Sequence, residues 1–97
     1  MAIEKLIGVP ATLEQTAEEA AEFAQAALKM SRVLRGENPT PKTELEAFQD
    51  LSEELAHVLI CIHELYDCFE PLKPNVDHNV LADKDRWMQQ AQEKKGA

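Results

Sequence analysis

The positions of its helix breakers constrain this chain more than any other feature. All five prolines, and two of the three glycines, fall in the stretches 8–10, 36–41 and 71–74. The segments between and after them are free of both residues almost to the C-terminus, and their apolar residues recur at helical spacing. Strand alternation is absent. The spacing therefore predicts an all-α chain of about three helices.

Thr12 followed by Gln15 has the form of a capping box, so a first helix is expected from about Leu13 to Arg35, stopped at Gly36. Residues 1–11 read as a lead-in. Leu13, Ala17, Ala20, Ala24, Ala27 and Leu28 share one side of this helix, flanked by Phe23, Met30 and Leu34. Glu18, Glu22 and Lys29 fall opposite, and Glu19 lies on the border. The stretch 36–41 is a loop, because two prolines in six residues cannot sit inside a helix. Thr43 with Glu46 is a second capping box and opens a helix from about Glu44 to Phe69. Its stripe is Leu51, Leu55, Val58, Ile62, Leu65 and Phe69. After Pro71 and Pro74, Asn75 or Asp77 is expected to cap a third helix carrying Val80, Trp87 and Met88, with residues 92–97 frayed.

The 97 residues allow one domain, spanning 1–97. Only 5% of them are aromatic, and alanine supplies much of the apolar content. Small side chains bury little area each, so one chain has a thin core and an antiparallel bundle completed by a second copy is expected. A homodimer or homotetramer meets that need. A net charge of −8 argues against nucleic acid or an anionic membrane as partner. No apolar run approaches a membrane span, and no signal core follows the start, so a cytoplasmic location is expected. Cys61 and Cys68 stand two turns apart on one helix, roughly 10 Å, too far for a disulfide.

Two carboxylate clusters fit a plain amphipathic helix poorly. Glu18, Glu19 and Glu22 lie at spacings that share a helix face, where like charges repel by a few tenths of a kcal/mol per pair, roughly, unless a cation offsets them. A solvated acidic face near a helix N-terminus is the plain alternative. On the second helix Glu54 shares its side with Ala47, Val58, Cys61 and Leu65, at the edge of the apolar stripe, with Asp50 one turn before and His57 one turn after. A carboxylate there needs a partner. That partner is either a cation such as Lys29 or Arg32, or a metal ion. Because a short loop joins the two helices, they pack antiparallel, and Glu19 and Glu22 can face Glu54 and His57. Three carboxylates and an imidazole suit magnesium or manganese.

These residues resemble the paired motifs of the MazG-like nucleoside triphosphate pyrophosphohydrolases, E-E-x-x-E on one helix and E-E-x-x-D on the next. Here they stand as Glu18-Glu19-Ala20-Ala21-Glu22 and Glu53-Glu54-Leu55-Ala56-His57. The stretch AEFAQAALKMSRVLRG is similar to compact, phage-type members. The resemblance covers residues 12 to about 68. It implies an all-α, dimeric or tetrameric enzyme that uses Mg2+ or Mn2+ to cleave a nucleoside triphosphate into monophosphate and pyrophosphate. It implies Glu19, Glu22, Glu54 and His57 as metal ligands, and Glu18, with Glu19 and Glu22, in the catalytic group. Lys29 and Arg32 on the first helix, and Lys84 and Arg86 on the third, would contact the substrate phosphates or simply balance neighbouring acids. Two features depart from the family pattern: a longer stretch between the motifs, and His57 in the place of an aspartate. A bundle that binds a nucleotide or protein partner without chemistry is the alternative.

Overall fold

A computed structural model describes residues 4–37 and 42–96. Four helices follow one another: α1 (Glu4–Ile7), α2 (Val9–Arg35), α3 (Glu44–Cys68) and α4 (Leu72–Gly96). Among the described residues there is no strand.

The helix ends follow local chemistry. Gly36, at φ 69°, closes α2 in the left-handed conformation. Its N–H donates to the Val33 carbonyl at 3.1 Å and that of Glu37 to the Arg32 carbonyl at 3.0 Å, a Schellman arrangement. The capping box of α3 forms as expected: the Glu46 N–H donates to Thr43 Oγ1, and the Thr43 N–H donates to Glu46 Oε1, both at 3.1 Å. The helix ends at Cys68, with Phe69 extended as its C-cap.

The start of α2 corrects the expectation. The helix begins at Val9, so Thr12 is internal and no Thr12–Gln15 box forms. The Thr12 hydroxyl instead donates back to the Gly8 carbonyl at 2.9 Å. Pro10 explains the shift: in a first turn its missing N–H costs nothing and its fixed φ is already helical. Gly8 makes the break with α1 at φ 87° and ψ 160°, a conformation open almost only to glycine. Residues 4–11 are thus helical on either side of Gly8. Likewise α4 starts at Leu72 with Pro74 in its first turn, so Asn75 and Asp77 are not caps. Asp77 accepts an ion-paired hydrogen bond from Lys73 at 2.8 Å. The helix continues through Gly96 without fraying at 92–96, and Ala97 lies outside the described residues.

Helices α2 and α3 pair antiparallel: Thr12 and Gln15 share a cavity wall with Cys61 and Glu64, while Glu19 meets His57. Their seam does not use the alanine face of α2. Thr12 and Ala26 are buried, and Thr16, Glu19, Phe23, Met30 and Val33 are half-buried along the same side. Leu13, Ala17, Ala20, Ala24 and Leu28, the expected core face, are exposed in the single chain; Ala27, at the border, is half-buried. On α3, Leu51, Val58, Ile62 and Leu65 are half-buried as expected, whereas Leu55 and Phe69 are exposed. Among the described residues, Ala26, Ala47 and Cys61 are the buried apolar ones.

The thin core leaves α4 outside it. None of its residues is buried. The radius of gyration is 17.0 Å, against about 12.5 Å for a compact domain of this length. Val76, Val80 and Trp87 share a face of α4 with Asp83 and Lys84, which interrupt its apolar stripe. Two helices of the expected bundle are therefore paired within one chain, and α4 does not close them into three.

Candidate metal centre

Midway along the seam, α2 supplies Glu19 and Glu22, one turn apart, and α3 supplies Glu54 and His57, one turn apart. His57 Nδ1 lies 3.4 Å from Glu19 Oε2 and 3.5 Å from Glu54 Oε2. One donor atom from each of Glu19, Glu54 and His57 falls within 4.8 Å of the other two. The two glutamate side chains are 18% and 23% exposed, so their charges are largely removed from water.

Glu22, exposed on α2, lies outside that donor group but close enough to feel its charge. The charge of Glu19 first, then that of Glu54, then loss of solvent, hold its carboxyl above the ordinary range. Two neighbouring carboxylates that disfavour ionisation of a third mark a site short of positive charge.

The cluster passes a physical test for a cation. Glu19 Oε2, Glu54 Oε2 and His57 Nδ1 are buried atoms without a hydrogen-bond partner, and buried polar atoms seldom remain so. Each has a lone pair for a metal, His57 when neutral. The second oxygen of Glu19 is engaged, accepting from Gln15 Nε2 at 3.5 Å. Gln15 thus steadies a candidate ligand, a role that its i, i+4 spacing to Glu19 could have shown in the sequence.

Other residues singled out in the sequence stand apart. Glu18 and Glu53 are exposed and outside the group. Asp50 is ion-paired with Lys42, whose amine is held above its ordinary range chiefly by that hydrogen bond. Lys29 and Arg32 are exposed on α2, and among the described residues no ion pair joins them to the cluster. Arg86 Nη2 donates to Asp83 Oδ1 at 2.9 Å, and Lys84 borders a groove on α4 with Val80 and Trp87. The cleft beside the cluster is lined from α1, α2 and α3, so neither basic residue of α4 lines it. Cys61, buried, and Cys68, half-buried, are not joined in a disulfide.

Comparison with models of known families, with characterised proteins and with solved structures finds no match for this chain. The likeness to MazG-like enzymes therefore rests on the motif residues themselves.

Proposed function

We propose that the protein hydrolyses a nucleoside triphosphate to the monophosphate and pyrophosphate. The observation that carries this reading is the convergence of Glu19, Glu54 and His57, whose facing donor atoms are buried and unpartnered, with Glu22 beside them. Glu19, Glu54 and His57, with Glu22, would hold Mg2+ or Mn2+. When bound, such an ion neutralises phosphate charge and lowers the pKa of an attacking water. Gln15 keeps one Glu19 oxygen occupied and leaves the other for binding. Glu18, exposed on the turn between Gln15 and Glu22, is left to orient the water or take its proton. Lys29 and Arg32 are placed further along the same helix, where extended side chains can meet phosphate oxygens.

The active form on this reading is a homodimer or homotetramer. Leu45, Phe48, Leu55 and Leu59 are exposed along one side of α3, and Leu13 and Leu28 flank the exposed alanines of α2. Both stripes are spaced by three, four or seven residues, as on helices that pair side by side. A second copy covering them would complete the bundle. Lys84 and Arg86 could reach a neighbouring cleft only in such an assembly.

The test is release of pyrophosphate from a panel of nucleoside triphosphates with Mg2+ or Mn2+, lost in Glu19→Gln and Glu54→Gln. His57 favours a second reading, because an imidazole replaces a carboxylate and is a poorer partner for magnesium. On that reading the fold binds a nucleotide or protein partner without cleaving anything, and the same panel yields no pyrophosphate with either metal.

A further inference from the structure

Glu19 and His57 also line a cavity of about 170 Å3 that extends from the cluster towards α1. Ile7 from α1 and Ile60 and Cys61 from α3 give it apolar walls, and Thr12, Gln15 and Glu64 add polar groups beside Glu19 and His57. A water occupies about 10–15 Å3 of such space, so there is room for a heterocyclic ring and part of a sugar. Among the described residues no lysine or arginine lines the cavity, which makes it unsuited to phosphate. A largely apolar pocket with a few convergent polar groups is suited to a flat, uncharged ring. The Gln15 amide offers a donor and an acceptor, as base edges do.

We propose that this cavity takes the nucleoside end of the substrate, the base with part of its sugar. The phosphates then lie at Glu19, Glu22, Glu54 and His57. This inference rests on the nucleotide reading above. It assigns Ile7, Gln15, Ile60 and Cys61 to recognition of the nucleoside and gives the one-turn helix α1 a part in binding. The break at Gly8 brings Ile7 of α1 to the cavity.

The experiment compares two probes by calorimetry in Mn2+: non-hydrolysable analogues of purine and pyrimidine nucleoside triphosphates, and inorganic tripolyphosphate. The wild-type chain should bind at least one analogue about tenfold or more tighter than tripolyphosphate. Ile7→Trp and Ile60→Trp each fill the cavity from a different helix at positions 45% and 52% exposed, so folding should survive. Both should lose the nucleotide advantage and keep the affinity for tripolyphosphate and Mn2+. Circular dichroism and light scattering identify any variant that has lost its fold or assembly. Retention of the advantage in both folded variants would overturn the proposal. So would a wild-type chain that binds tripolyphosphate and nucleotide equally, an outcome that leaves the polyphosphate site intact. Binding of neither probe removes the nucleotide reading, and this inference with it.

Discussion

Glu19 and His57 meet across the α2–α3 seam at 3.4 Å, and neither the glutamate oxygen nor the ring nitrogen involved has a hydrogen-bond partner. Helix pairs ordinarily fill such a position with apolar side chains. Here the polar pair faces inward while Leu13, Ala20 and Ala24 of the same helix face outward, so the seam gives up apolar packing at that point.

The first prediction concerns the metal. Replacing a direct ligand should weaken divalent-ion binding by about tenfold or more, so His57→Asn should lower Mn2+ affinity in a calorimetric titration. His57→Asp should raise Mg2+ affinity, because a carboxylate is the harder donor. Unchanged titrations for both variants would show that His57 is not a ligand.

Glu22 gives a prediction about pH. Its carboxyl is held above the ordinary range in the fold, so the folded state binds its proton more readily than the unfolded chain. Its stabilising contribution is complete below the unfolded value and is lost as pH rises through the folded one. In metal-free buffer Glu22→Gln should therefore melt higher than wild type at neutral pH. The difference should shrink as pH falls towards the ordinary carboxylate range. A gain independent of pH would place its origin elsewhere.

The capping box of α3 should respond in the opposite sense. Hydrogen bonds with Thr43 hold the Glu46 carboxyl below its ordinary range, so its contribution is present above the unfolded value and lost as pH falls through the folded one. Thr43→Ala should cost about 1 kcal/mol in chemical denaturation.

Gly8 should resist substitution for backbone reasons alone. An added Cβ would approach Pro10 Cδ no closer than 4.0 Å, so space is available. The φ of 87° is unfavourable for any other residue, and Gly8→Ala should cost about 1–3 kcal/mol. A neutral result would mean that the α1–α2 break can re-form in another geometry.

Self-association is tested by mass. Light scattering at micromolar concentration should give a dimer or tetramer, and Phe48→Glu or Leu59→Glu should dissociate it without disturbing the seam. Both positions are about half exposed in the single chain, at 55% and 48%. A monomeric wild type would remove the case for a second copy.

What the sequence determined by itself is the set of features fixed by near neighbours. Gly36, Thr43 and Glu46 mark helix ends because their hydrogen bonds reach only three to five residues along the chain. The start of α2 misled for a related reason: Thr12 and Pro10 carry competing local signals, and proline in a first turn extends the helix past the apparent cap. That Glu19 could come near Glu54 and His57 was also legible, because a short loop makes the two helices antiparallel and all three stand near their middles. Which side of α2 faces α3 was not. Periodicity gives the angles between residues on one helix, whereas the rotation of that helix about its axis depends on what it packs against. Only the tertiary structure placed Glu19 in the seam, turned the alanine face outward and left α4 beside the pair without a buried residue.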